Sequence, residues 1–319
     1  MNARFVSEFG IQSFPDYKTV CEYTLPQERN LCSYVMDLHQ KNQDHAGNAK
    51  IIYYVMQDLP YPQNTRDAVY ASQIVQAEAM RCGVEYWRSN RGRCMGALYW
   101  QLNDCWPAPT WAGIDSAGRW KALHYVAKRF FAPLAACARE QEGQVALYAM
   151  NETLEEDCGA LSWRLCGPDG ETVQSGTAQV RIPPLSAVQA QTLDFSQALE
   201  QPDARRRLHL EYRLQGNHGQ SRGSLLFVKP KHYLFNDPRL HTHVEKTADG
   251  FAVHVRAEAF AQYVALDLEN ADAVFDDNFF DLSSDEEKIV PLHADRIRAD
   301  LSLEDVRRQL TVRSLFDLF

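Results

Sequence analysis

Apolar residues follow two different rhythms along the chain, and the change falls near residue 135. Before it, "NTRDAVYASQIVQAEAMRCGVEYWRSNRG" (64–92) places Ala68, Ala71, Val75, Ala79, Cys82 and Tyr86 three and four residues apart. That spacing predicts a helix, with Asn64 or Thr65 available as its cap. "GRWKALHYVAKRFFAPL" (118–134) predicts a second helix that stops before Pro133. Between them "CMGALYWQLN" (94–103) is apolar on both faces over Met95–Tyr99 and reads as a fully buried strand. At the front, "ARFVSEFGIQSFP" (3–15) gives a short buried strand through Phe5, Val6, Phe9 and Ile11. Two-sided apolar strands alternating with helices predict a parallel α/β part.

From residue 143 onward the period drops to two. "VALYAMNE", "ALSWRLCGPDGETV", "RLHLEYRLQG" and "GSLLFV" alternate apolar and polar residues, with "GPDG" as a turn. The two prolines of "FVKPKHYLFNDP" (227–238) mark a boundary, and "FAVHVRAEAF", "YVALDLEN", "EKIVPL" and "QLTVRSL" resume strand character. Short strands at this spacing fit two β-sandwiches of about 90 residues each. The expected organisation is an α/β part over 1–135, a sandwich over 136–231 and a second sandwich over 232–319.

The chain's 319 residues suffice for two or three domains with real cores. Hydrophobic content of 45% and charged content of 24% describe an ordinary globular protein. With a net charge of −9 and no basic block beyond "ARRR" (204–207), nucleic acid is not an expected partner. No apolar run reaches the length of a membrane span, so no membrane contact is expected, and no signal peptide precedes the first strand. The eight cysteines form no CxxC pair; they read as buried free thiols, which favours a reducing compartment, and not as a zinc site. "HTH" (241–243) has metal-ligand residue types, but no acidic or cysteine partner is evident beside it, so solvated histidines are expected. "SSDEE" (283–287) reads as a solvated turn. No phosphate loop and no Ser-His-Asp arrangement can be argued.

One residue breaks the pattern. Glu8 stands among the apolar residues of the first strand, where an unpartnered carboxylate costs several kcal/mol. Either the apolar run ends at Val6 and Glu8 reaches solvent, or the site wants a carboxylate.

Several stretches bear on that choice. "RFVSEFGIQSFP", "SQIVQAEAMRCGVEYWR", "GALYWQLNDCWPAPTWAGIDSAGRWKALHYVAKRFFAPL", "DDNFFDLSSDEE" and the terminal "LTVRSLFDLF" closely resemble the C-terminal part of the β-mannosidases of glycoside hydrolase family 2. The resemblance implies a multidomain α/β plus all-β fold. Its front is the C-terminal portion of a (β/α)₈ TIM barrel, with residues 4–10 as the seventh strand and 95–102 as the eighth. Two immunoglobulin-like β-sandwich domains follow. It implies that Glu8 is the nucleophile, at the C-terminal end of its strand, held ionised by hydrogen-bond donors. A retaining glycosidase pairs such a carboxylate with a second carboxyl group ~5 Å away.

The same resemblance places Trp100 beneath the sugar, where an indole face packs on the C–H face of a pyranose; a core tryptophan is the plain alternative. Gln101, Asn103 and Asp104 contact hydroxyls or shape the loop that follows. Trp106 and Trp111 of "CWPAPTW" wall the site or pack against a sandwich. No metal and no organic cofactor is implied. The family's acid/base glutamate falls upstream of Met1, so the missing N-terminal part of the same enzyme is an expected partner, with a β-mannoside as substrate. Two other readings stay open: a carbohydrate-binding or docking module, and a β-galactosidase or β-glucuronidase relative.

Overall fold

A computed structural model describes residues 3–42, 46–284 and 286–319, which form two compact units. The first unit joins residues 3–9, 79–99 and 127–234; the second joins 10–78, 100–126 and 235–319.

In the first unit, β1 (Val6–Phe9) and β2 (Ala97–Tyr99) pair in parallel, Val6 opposite Ala97 and Phe9 opposite Tyr99. The Val6 N–H donates to the Gly96 carbonyl at 3.0 Å and the Met95 N–H to that of Arg4 at 2.9 Å. Burial departs from expectation. Phe5 (53%), Met95 (60%) and Leu98 (59%) are exposed, so neither strand is the buried one their apolar faces predicted. The physical reason is the sheet: among the described residues each strand has one neighbour, and two strands cannot cover both of their faces. Cover exists only locally, where Phe9 meets Trp87 edge-on at 4.6 Å and Tyr99 stacks on Phe131 at 6.3 Å.

The rest of this unit is a β-sandwich. β3 (Leu134–Gln141), β4 (Gln144–Asn151) and β7 (Ser186–Asp194) form one antiparallel sheet. β5 (Asp157–Cys166), β6 (Thr172–Ile182), β8 (His209–Gly216) and β9 (Gln220–Leu226) form the other, in the order β6-β5-β8-β9. Alternation supplies the core: Val145 and Leu147 from one sheet meet Leu161, Leu165, Ile182, Leu210 and Leu214 from the other. The "GPDG" turn closes β5 onto β6, with Gly170 at φ +85°, a conformation open to glycine at little cost. Arg88 ties the preceding helix to this domain, donating to the Phe130 and Ala132 carbonyls and pairing with Glu152.

The second unit holds α1 (Tyr17–Tyr23), α2 (Tyr34–Leu38), α3 (Gly47–Asp58) and the first turns of α4 (Thr65–Arg88). Asn64 is the α4 cap, its Oδ1 accepting from the Asp67 N–H at 3.0 Å, while Thr65 donates to the Arg29 carbonyl. Ala71, Ile74 and Val75 of α4 pack with Val55, Leu59, Tyr263, Leu315 and Leu318. Polar residues on the same helix are buried as well, for they hold the segment after β1. Ser72 accepts from the Phe14 N–H, Gln73 donates to the Phe14 carbonyl, and Gln76 donates to that of Ile11 at 2.9 Å. The second predicted helix is shorter than expected, α5 running Ala122–Phe130. Residues 115–119 are instead a turn in which the Asp115 carboxylate accepts from the Ala117 and Arg119 N–H groups, both at 3.0 Å.

The C-terminal sandwich packs the sheet of β10 (His241–Lys246), β11 (Gly250–Arg256) and β14 (Glu287–His293) on that of β13 (Phe280–Leu282), β12 (Ala261–Leu268) and β15 (Leu310–Arg313). Val253, Val255, Val264, Leu266, Phe275, Leu282, Val290 and Leu292 make its core. Asn278 of "DDNFFDL" is a backbone surrogate, accepting from the Leu266 N–H and donating to its carbonyl, both at 2.8 Å. A capping box of Ser302 and Asp305 starts a helix missed in the sequence, α6 (Leu303–Gln309), ahead of β15.

Three further expectations change. Only Cys94, Cys137 and Cys166 are buried; Cys32, Cys82, Cys105 and Cys158 are exposed, because they sit on outward positions of helices, loops and β5. His241 of "HTH" does have an acidic neighbour, Glu258 at 2.9 Å, and His254, opposite His243 on the next strand, lies beside Glu245 and Glu287. In "SSDEE", Ser283 is buried, and Asp285 lies outside the described residues. No helix among the described residues is long and apolar enough to cross a membrane.

Candidate active site

Glu8 is the third residue of β1, and its side chain is exposed. Among the described residues its carboxylate meets no donor, so the expected cradle of hydrogen bonds is not supplied by them. Two residues on, the backbone makes a close approach. A Cβ on Gly10 would lie 2.2 Å from the Trp100 carbonyl oxygen, which only glycine tolerates.

Trp100 opens the loop that carries the remaining candidates, in the second unit. Its side chain is 48% exposed, and the Trp100–Gln101 peptide is cis. The loop folds back on itself: the Gln101 N–H donates to the Trp111 carbonyl, the Gly113 N–H to that of Gln101, and the Asp104 N–H to that of Ile114. Gln101 turns its amide onto the Asn103 carbonyl (3.2 Å) and the Asp104 carboxylate (3.3 Å). Asn103 is exposed and donates to the Asp104 carbonyl. Asp104 is buried and accepts from the Thr110 hydroxyl, so it braces the loop. Trp106 stacks on His39 at 4.6 Å, and His39 on Tyr23 at 4.1 Å. The Lys41 ammonium lies 4.9 Å from the same indole, so Trp106 is engaged by both. Thus Gln101, Asn103 and Asp104 are joined by direct bonds, Trp106 belongs to a separate aromatic stack, and Glu8 lies in the other unit.

Beneath this loop lies a charge that the sequence pattern did not single out. Lys121 is fully buried, its ammonium reaching the Thr110 carbonyl at 3.2 Å and that of Ser13 at 3.4 Å. Burial pulls its pKa down to about 7, against the opposing pull of Asp104 and Asp115. Asp104 is shifted the other way, upward, chiefly by burial. Asp115 is held by the Thr19 hydroxyl at 2.6 Å and by three backbone N–H groups. Lys121 reads from sequence as a polar helix position in "RWKAL"; the only hint is its place between Trp120 and Ala122. Among the described residues no group of three or more metal-ligating side chains converges.

The first sandwich has a groove of its own, about 520 Å³, at one end of the sheet β6-β5-β8. Cys158 and Ala160 of β5 form its floor, with Gln179 and Arg181 on one side and Gln215 and Asn217 on the other. Amide and guanidinium groups across a small-residue floor suit a polyhydroxylated ligand.

Two sandwiches following a helical part with one parallel strand pair define a multidomain protein with immunoglobulin-like domains. Residues 143–232 match the mannosidase Ig/CBM-like domain, and residues 235–318 match the Ig-fold domain of mannosidases. A β-mannosidase of Mus musculus is 36% identical over 176 residues, covering 51% of this chain and 20% of the mouse protein. A β-mannosidase B of Thermothelomyces thermophilus is 28% identical over 310 residues, covering 88% of this chain and 36% of the fungal one. The crystal structure of a β-D-mannosidase from Dictyoglomus thermophilum superposes with a TM-score of 0.85 at 25% identity, over 98% of this chain and 37% of that one. The exo-chitosanase of Amycolatopsis orientalis shares the fold at 16% identity, with a TM-score of 0.73 over 97% of this chain and 41% of that one. The chain is therefore similar to the C-terminal part of the β-mannosidases of glycoside hydrolase family 2, and it spans about a fifth to a third of the curated relatives it matches.

Proposed function

We propose that this chain is the C-terminal part of a retaining exo-β-mannosidase, releasing terminal β-D-mannose, and that Glu8 is its nucleophile. Residues 1–135 would then be the end of a (β/α)₈ barrel, 136–231 and 232–319 its two immunoglobulin-like domains. The observation that carries the reading is the position of Glu8. It sits near the C-terminal end of a strand that runs parallel to β2, and barrel enzymes set their catalytic groups at such ends.

In this reading the Glu8 carboxylate attacks the anomeric carbon and forms a glycosyl-enzyme. The exposed indole of Trp100 lies under the sugar ring. Gln101 and Asn103 meet hydroxyls, Asp104 holds their loop through Thr110, and the edge of Trp106 borders the site. A second carboxylate protonates the departing oxygen and then activates water, and residues preceding this chain supply it.

The test uses the complete parent protein and a 2-deoxy-2-fluoro-mannosyl reagent. The label is expected on Glu8; peptide mapping that finds it elsewhere overturns the assignment. The 319-residue chain alone should turn over an aryl β-mannoside at no enzymatic rate, since general acid–base help is worth ~10²–10⁴-fold. Robust turnover abolished by Glu8→Gln would mean that the acid lies within these residues.

The groove on the first sandwich favours a second reading, a carbohydrate-binding module. Mannoside affinity without hydrolysis, unaffected by Glu8→Gln and lost in Gln215→Ala, would support it.

A further inference from the structure

The loop behind Trp100 is fastened from below, at Thr110. Ser13 and Thr110 form an isolated antiparallel bridge, the Ser13 N–H donating to the Thr110 carbonyl at 2.9 Å and the Thr110 N–H to that of Ser13 at 3.1 Å. One bridge is not a sheet, and two side chains complete it. The Lys121 ammonium donates to the same two carbonyls, at 3.2 Å to Thr110 and 3.4 Å to Ser13. Gln76 of α4 accepts from the Ser13 hydroxyl at 2.7 Å and donates to the carbonyls of Ile11 at 2.9 Å and Thr110 at 3.4 Å. Ser13, Gln76 and Lys121 are fully buried, and Thr110 is nearly so.

This clasp is joined to the candidate site by direct bonds. With its backbone fixed, the Thr110 hydroxyl donates to Asp104 and accepts from the Ala112 N–H. Asp104 accepts from the Gln101 amide, and the Gln101 N–H donates to the carbonyl of Trp111, the residue after Thr110. Gln101 follows Trp100 directly, so the clasp reaches the indole through Thr110, Asp104 and Gln101. Stability alone is a weak reason for such chemistry. A buried ammonium is costly to desolvate, and apolar residues of similar volume often serve a core as well or better. A bonded polar network does what an apolar contact does not, which is to admit one arrangement of the segments it joins.

We propose that Ser13, Gln76 and Lys121 are positioning residues, which fix the Trp100 indole and the Gln101 amide where a pyranose ring binds. The proposal rests on the reading of Trp100 as the platform beneath the sugar. None of the three touches substrate; they act through Thr110 and the loop it holds.

A double-mutant cycle on the complete parent enzyme, with an aryl β-mannoside as substrate, tests it. Lys121→Met and Gln76→Met should each lower kcat/KM ~10-fold or more, since a misplacement of about 1 Å can cost ~10²-fold. Added to Trp100→Ala, either should cost less than ~3-fold further, because its effect passes through the indole, whereas independent effects multiply. Leu147→Ala, fully buried in the first sandwich, is the control for lost stability and should leave kcat/KM of the folded enzyme unchanged. Lys121→Met leaves Asp104 and Asp115 with their other partners and carries the test if Gln76→Met does not fold. Normal kinetics in Lys121→Met beside a defective Trp100→Ala overturn the clasp alone. Losses that multiply with that of Trp100→Ala overturn it too, since they mark a purely structural role. Normal kinetics in Trp100→Ala overturn the platform reading, and the clasp with it.

Discussion

Replacing Lys121 by Met tests how the loop behind Trp100 is built. The side chain is fully buried, and its ammonium is pulled down to about 7 from an ordinary value of 10.5, by burial first. A lowered lysine pKa means that between about pH 7 and 10.5 the unfolded chain holds a proton that the folded chain has released. Stability then rises with pH across that window, because the unfolded state binds more protons. At ~1.36 kcal/mol per unit, the whole displacement is worth on the order of 5 kcal/mol. Methionine keeps the length of the stem and removes the charge, so its variant loses this pH dependence.

The cost at pH 7 should be smaller than the ~3–5 kcal/mol usual for removing one partner of a buried ion pair. Asp115 keeps the Thr19 hydroxyl and its backbone donors, and Asp104 keeps Thr110 and Gln101. Neither carboxylate is left bare, and a loss of about 1–2 kcal/mol is expected, the scale of one or two hydrogen bonds. Urea unfolding of both proteins at pH 7, 8, 9 and 10 reads the difference directly. Asp16, raised to about 6 mainly by burial, titrates below that range and is common to both proteins. The stability gap between parent and variant should widen with pH. Parallel curves would show that Lys121 is not desolvated in the way described, and a narrowing gap would show that its charged form is the stabilising one.

Glu8→Gln should shift stability by no more than ~0.5 kcal/mol, as expected for an exposed side chain, while abolishing labelling of the complete enzyme; a large loss by denaturant titration would make Glu8 a structural residue. Trp100→Ala should lower kcat/KM of the complete enzyme ~10-fold or more with little change in thermal midpoint, and the reverse pattern would make it a packing residue. His218 is bonded to Asp157 at 2.9 Å and to Glu155 at 3.1 Å, and these bonds, to Asp157 foremost, raise its pKa. Its contribution is complete below 6.5 and fades as pH rises through the folded value, so His218→Gln should lower the thermal midpoint more at pH 6 than at pH 9; equal shifts would refute the pairing. Leu147→Ala, at a fully buried position of the first sandwich, should cost ~2–5 kcal/mol in urea unfolding, and a loss below ~1 kcal/mol would contradict a packed core there.

What the sequence displays and what it hides follow from the range of the forces involved. Period-two alternation is a local signal: it names which residues of β4, β5 and β8 face the core, and both sandwiches are legible from it. So is the stripe of α4, whose cap at Asn64 is a contact three residues long. Exposure of β1 and β2 is a different matter. Apolar composition records what a strand can be buried against, and nothing in "CMGALYW" states how many neighbours the strand has. Charge pairs are hidden for the same reason. Lys121 meets Ser13, Thr110, Asp104 and Asp115, and His254 meets Glu245 and Glu287, through register and loop closure. The candidate site divides along that line. Glu8 stands out because a carboxylate is the wrong residue for an apolar strand, and a local anomaly is visible in one dimension; Trp100 is singled out by the resemblance alone. The groups that hold Gln101, Asn103 and Asp104 in place are ordinary residues in ordinary contexts, and their role exists only once the chain has closed on itself. A residue that breaks a local pattern is thus easier to find in a sequence than the residues that hold a loop in place, and the latter set is where substitution experiments add most.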